Sequence, residues 1–151
     1  MRRFRFRLAT VLNLRKSREE EALRALGDAQ RAYQEELSKK GRLVSELQNA
    51  LIRRENLGIE PIGVLSFQLE DEFIAGTKHR IVRADRDIMR ASRAVEKALK
   101  YFLHTRRQTR MMESLYDREH AEFRKMQSKR EQKLLDDMSV MRDRLKERAV
   151  G

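Results

Sequence analysis

Three histidines, His79, His104 and His120, are the imidazoles of this chain and the first candidates for metal ligands. They are widely separated, and none has a second ligand at metal spacing. Glu119 and His120 are adjacent, which on a helix points them to different sides, and nothing resembles an HExxH pair. The chain has no Cys, which excludes disulfides and thiolate metal sites and fits a reducing compartment. No Gly-rich phosphate loop occurs, so nucleotide hydrolysis by the P-loop route is excluded. The residues form no catalytic constellation and imply neither a metal nor a cofactor, so the expected protein is not an enzyme.

What remains is charge. The net charge of +11 is unevenly placed: residues 1 to 18 hold seven Arg or Lys and no acid, residues 76 to 110 hold eleven against three acids, and residues 58 to 75 hold four acids and no base. An electrostatic partner would therefore meet particular places. The start, MRRFRFRLATVLNLRKSR, spaces Phe4, Leu8, Val11 and Leu12 as a helix would. It reads as a solvated basic helix start, as a contact for an acidic protein surface, or as a site for nucleic acid or anionic membrane. A membrane-surface helix would want more large apolar residues, and Arg at a helix start opposes the macrodipole, which suggests that these arginines serve a partner. A second basic run, Arg80, Arg83, Arg86, Arg90, Arg93, Lys97 and Lys100, suits phosphate but is also the ordinary outer face of a coiled coil.

Long helices must carry these groups. Charged residues make up 39% of the 151 residues and aromatic ones 6%, too polar a mixture for a thick globular core. With one Pro and six Gly there is little room for turns. No apolar run approaches the roughly 18 residues of a membrane span, and Phe4, Phe6 and Leu8 alternate with Arg rather than forming a signal-peptide core. The expected protein is soluble and cytoplasmic.

The clearest pattern lies between Ile74 and Phe123. Residues seven apart read Ile74, Ile81, Ile88, Val95, Phe102, Thr109, Tyr116 and Phe123, and the positions three further on include Thr77, Ala84, Ala91, Ala98, Thr105, Met112, Glu119 and Met126. That 3-4 spacing is a coiled-coil seam. An earlier stripe runs Leu12, Ala22, Leu26, Ala29, Tyr33, Leu37, Val44, Leu47 and Leu51, widened by Leu23 and Leu43. Arg15, Glu19, Glu36 and Lys40 interrupt it at or beside core positions, which predicts moderate stability there. Gly27 and Gly41 each cost about 1 kcal/mol relative to Ala in a helix interior.

Between the stripes, NLGIEPIGVLS (residues 56 to 66) holds the only Pro, and a helix cannot pass smoothly through Gly58, Pro61 and Gly63. The chain turns back here. Ser66 is placed to cap the second helix, with Glu70, Asp71 and Glu72 near its positive end. The apolar residues of this loop either fold over the hairpin tip or form a docking surface. The predicted fold is all-α: one coiled-coil domain over residues 1 to 151, a long antiparallel two-helix hairpin with helix one at about 4–56, a turn at about 57–66 and helix two at about 67–148. Its core includes Leu26, Tyr33, Leu47, Ile81, Ile88, Val95, Phe102, Tyr116 and Phe123. At a rise of about 1.5 Å per residue the arms span about 75 and 120 Å, so the C-terminal helix overhangs. The N-terminal residues 1 to 18 should lie beside roughly residues 105 to 120. In the overhang Leu134, Met138, Met141 and Leu145 leave the register of Phe102 and Phe123, as at a four-residue stutter. The arginines Arg3, Arg5 and Arg7 and the row Leu134, Met138 and Met141, which has no mate within the hairpin, are candidate partner contacts.

The start FRFRLATVLNLRKSREEEA, the turn near residue 60, the opening FQLEDEFIAG of the second helix and the ending SKREQKLLDDMSVMRDR together resemble the flagellar FliJ family, small soluble components of the flagellar type III export apparatus. The central-stalk proteins of virulence-type secretion systems are related, and the FRFRL start looks more like the flagellar branch. The resemblance implies an antiparallel coiled coil similar to the central stalk of rotary ATPases. It also implies three partners: the hexameric flagellar export ATPase, whose assembly and activity it promotes and whose ring pore, with acidic and apolar lining, would take Arg3, Arg5, Arg7, Leu134, Met138 and Met141; the cytoplasmic part of the transmembrane export gate; and export chaperones. The implied place of work is the cytoplasmic side of the membrane at the flagellar base. Gate contact in the family lies at the beginning of the second helix, which corresponds to Phe73 and Ile74 here, and Thr77 stands where some members carry a large apolar residue. From another class, a basic coiled-coil nucleic-acid or architectural protein is the alternative.

Overall fold

The computed structural model describes residues 2–58 and 63–151. Two helices, α1 (Ala9–Leu57) and α2 (Val64–Val150), make up almost all of it and pack against each other as a helical hairpin, with no strand among the described residues. The chain separates into two compact units, Glu19–Thr105 and the terminal unit formed by the segment up to Arg18 together with Arg106–Gly151.

In the unit 19–105 the helices meet along a single seam, since two helices can bury only one stripe each. On α2 the heptad positions hold as read: Ile74, Thr77 and Ala84 are buried, and Ile81, Ile88, Ala91, Val95, Ala98 and Phe102 are half-buried. On α1, Ala22, Leu26 and Ala50 are buried, while Ala29, Tyr33, Leu43 and Leu47 are half-buried. Leu37 and Leu51, placed in the stripe by the sequence reading, lie exposed on its flank. Their places in the 3-4 rhythm are taken by Glu36, Lys40 and Ala50, because the periodicity of the packing follows the helix and not the nearest large side chain. Lys40 and Glu36 are half-buried there, and the charged end of each has an ion-pair partner. The ammonium of Lys40 reaches Asp85 on α2 at 2.7 Å, and that of Lys39 reaches Glu36 at 3.4 Å.

The terminal unit is built differently from the expectation. Helix α1 starts at Ala9, not near residue 4, so Phe4 and Leu8 precede it. Burial then alternates: Phe4 half-buried, Arg5 exposed, Phe6 buried, Arg7 exposed, Leu8 half-buried. From Phe4 to Phe6 that is the period of an extended chain, which turns successive side chains to opposite sides. Arg7 and Leu8 then form the turn into α1, closed by the Ala9 amide donating to the Phe6 carbonyl at 3.2 Å. Phe6, Leu12 and Met112 form the centre of this unit, with Phe4, Leu8 and Leu115 packed against it. The hydroxyl of Thr109 donates to the carbonyl of Arg15 at 3.2 Å, and the Gln127 amide donates to the carbonyl of Arg2 at 3.1 Å. Between these contacts the N-terminal side advances 13 residues while α2 advances 18. Two helices side by side would advance equally. An extended residue rises about 3.3 Å against about 1.5 Å in a helix, which supplies the difference. The N-terminal residues therefore reach Gln127 rather than stopping near residue 120.

At the other end, α2 begins at Val64 and not at Phe67. Ser66 lies inside the first turn, its amide donating to the Gly63 carbonyl at 3.1 Å, so it is not the capping residue. Val64 and Leu65 are 73% and 68% exposed, which shows that this part of the apolar stretch does not fold over the tip. Ile59, Pro61 and Ile62, on which the turn expectation also rested, lie outside the described residues.

Candidate docking surfaces

Where α2 begins, Phe73, Ile74 and Thr77 separate into different environments. Ile74 is 7% exposed and Thr77 has no exposed surface, its hydroxyl donating to the Phe73 carbonyl at 2.8 Å. Both are held in the seam, so of the three only Phe73, 37% exposed, has a face toward solvent in the folded hairpin. The Arg53 guanidinium sits 5.6 Å from the Phe73 ring centroid and also donates to Glu70 at 3.0 Å. Arg54 pairs with Asp71, whose hydrogen bond and charge raise the Arg54 pKa above its ordinary value. The acids expected at the positive end of the helix thus lie beyond its first turn, and Glu70 and Asp71 tie α2 to α1 there. Leu65 and Leu69, exposed and at four-residue spacing ahead of Phe73, extend its apolar row toward the tip. Sequence reasoning placed Leu65 in a loop and passed over Leu69, although the i, i+4 spacing of the three was legible.

In the terminal unit the aromatic rings of Phe4 and Phe6 organise the site. Phe4 meets Tyr116, His120 and Phe123 with centroids 5.4, 4.9 and 5.4 Å apart, and Phe6 meets Tyr116 edge-on at 5.3 Å. The Phe4–Phe123 pair is tilted, and the edge-to-face contacts among the others are each worth about 0.5–1.5 kcal/mol beyond burial. His120, read from the sequence only as a ligand without a partner, is a packing residue stacked on Tyr116. Tyr116 is 36% exposed, so it borders the core more than it fills it, whereas Phe123 is half-buried. Because Phe4 and Phe6 point toward α2, Arg3, Arg5 and Arg7 point away from it and are exposed. The helix-dipole argument for these arginines falls, since they precede α1. Their outward display follows from the alternation instead.

Beyond Gln127 every residue of α2 is exposed. The register shift has a structural counterpart, since Gln127 faces the N-terminal segment while Met126 is 57% exposed. At 100° per residue, Leu134, Met138, Met141 and Leu145 fall within about 40° of the direction of Gln127. Their row continues the face on which the N-terminal segment lies, and all four are 59–66% exposed. The remaining cationic feature, Arg83, Arg86, Arg90, Arg93, Lys97 and Lys100, is exposed on the side of α2 opposite the seam. Among the described residues no helix is long and apolar enough to cross a membrane.

The arrangement offers apolar rows and cation displays, the equipment of a binding protein. A solved structure described as a YscO homolog from Chlamydia trachomatis has a similar fold, with a TM-score of 0.67 and 16% sequence identity over 97% of this chain and 99% of that chain. Among curated proteins none matches the sequence. The model of the flagellar FliJ protein family matches residues 4–148, nearly the whole chain from the Phe4 of the aromatic cluster to the end of the overhang, and the chain therefore belongs to the flagellar FliJ protein family.

Proposed function

We propose that this protein is a non-enzymatic stalk component of the flagellar type III export apparatus. Its terminal unit engages the hexameric export ATPase and promotes its activity, and the start of α2 contacts the cytoplasmic part of the export gate, with export chaperones as further partners. It works in the cytoplasm against the inner face of the membrane. The observation that carries this reading is the terminal unit itself. Arg3, Arg5 and Arg7 are displayed outward in the same unit as the exposed row Leu134, Met138 and Met141. A ring pore with acidic and apolar lining would take up both. Family membership supports the flagellar system over the equivalent stalk of a virulence-type system.

Truncation after Lys129 tests the assignment. It removes the apolar row and leaves the Arg2–Gln127 contact and everything before it. The truncated protein should keep full helicity per residue and lose stimulation of ATP hydrolysis. Undiminished stimulation would remove the overhang from the ring-binding role. A nucleic-acid reading draws on the exposed Arg83 to Lys100 stripe and predicts a different result: binding to unrelated duplexes that falls steeply with salt.

A further inference from the structure

We propose that two copies of this chain associate through their C-terminal overhangs, antiparallel, with residues 131–148 of each α2 as the interface. The argument begins with the spacing of the exposed row. Glu131, Leu134, Met138, Met141, Leu145 and Arg148 follow one another at 3-4-3-4-3, the rhythm of a coiled-coil seam. The row is also symmetric about the Ser139–Val140 bond. Reversing the helix places Leu134 of one copy against Leu145 of the other and Met138 against Met141, so apolar layers meet apolar layers.

Charge selects the direction. In the antiparallel pair the layer outside Leu134 sets Glu131 of one copy against Arg148 of the other, and the two-fold axis repeats that contact at the far end. A parallel pair would set Glu131 against Glu131 and Arg148 against Arg148. The flanks agree. Asp137 and Arg144 lie on the same side of the row, seven residues apart and so out of reach of each other within one helix. Antiparallel pairing faces the Asp137 flank of one copy with the Arg144 flank of the other, twice. A parallel pair would also bring the two Arg2 residues, each held at Gln127 at the base of its overhang, to the same end of the pair. Antiparallel pairing sends them to opposite ends. It also seats each overhang on the partner's exposed stretch beyond Gln127, so the N-terminal segment keeps its place on α2.

Sedimentation equilibrium of the full-length chain, from about 10 µM to about 1 mM, reads the association directly. The expected mass rises from 18.0 kDa toward twice that value. Asp137→Arg and Arg144→Asp should each weaken association by about ten-fold or more, which is about 1.4 kcal/mol. An equimolar mixture of the two variants should restore it, because a mixed pair places Arg against Asp at both flanks. Met138→Glu, which puts a carboxylate in a central layer, should hold the mass at 18.0 kDa throughout. The proposal is overturned by a wild-type mass that stays at 18.0 kDa, by a mixture that associates no better than either variant, or by undiminished association of Met138→Glu. The paired row includes the residues assigned to the ring, so the pair is the form of the protein apart from the ATPase. These measurements contain no ATPase, so their failure leaves the ring-binding assignment untouched, and the truncation assay judges that assignment separately.

Discussion

At the scale of single residues, Thr77 and Phe73 show how one helical turn divides into packing and display. Thr77 has no exposed surface and its hydroxyl is satisfied within its own helix. A larger side chain there has nowhere to go, so Thr77→Leu should destabilise the hairpin by about 1–3 kcal/mol through overpacking, measured by chemical denaturation. It should gain no affinity for an export-gate fragment, since the added atoms face α1. Phe73 keeps an open face, and its ring is braced by Arg53 rather than by the seam. Phe73→Ala is therefore expected to leave helicity nearly unchanged and to weaken gate binding several-fold, as loss of an aromatic anchor does. Unfolding of that variant would assign Phe73 to the core instead. The sequence indicated this division only halfway. Ile74 and Thr77 were both legible as seam from their heptad positions, and it is the gate contact implied by the resemblance that their burial leaves to Phe73.

At the scale of elements, α2 was readable because large and small apolar residues alternate along its seam, Ile81 with Ala84 and Ile88 with Ala91. The seam of α1 was harder, since Glu36 and Lys40 occupy it while Leu37 lies beside it. The N-terminal segment carried two patterns at once. Phe4, Leu8, Val11 and Leu12 fit a helix, but Phe4 and Phe6 are two residues apart, a spacing that only an extended chain turns to one side. The second pattern won because Tyr116, His120 and Phe123 offer aromatic partners to both rings. Gly27 and Gly41 give a further prediction for α1. A Cβ built at either position meets no atom within 4 Å, and no glycine has a positive φ among the described residues. Gly27→Ala and Gly41→Ala should each stabilise the protein by about 0.5–1 kcal/mol, visible as a raised Tm. A loss of stability at either would mean that the helix needs to bend there.

For the whole molecule, the net charge of +11 matters through its placement. Arg3, Arg5 and Arg7 are exposed, so their attraction for an acidic ring acts over a Debye length of about 8 Å at physiological salt and speeds encounter more than it holds the complex. Reversing all three to Glu should slow association with the ATPase by about ten-fold or more and leave the dissociation rate within a few-fold. Stopped-flow measurements at two salt concentrations check both parts. An effect confined to dissociation would place these arginines inside the final interface.

The seating of Phe4 and Phe6 on Tyr116, His120 and Phe123 also fixes an order of events during synthesis. The carbonyl of Arg2 and the amide of Gln127 are 125 positions apart, and a ribosome adding about 5–20 residues per second needs roughly 6–25 s to cover that interval. For that time Phe4 and Phe6 have no native partner, because Tyr116, His120 and Phe123 have yet to be translated. The arginine-flanked Phe4–Phe6 stretch therefore stays open to solvent until residues 116–127 of α2 have left the exit tunnel.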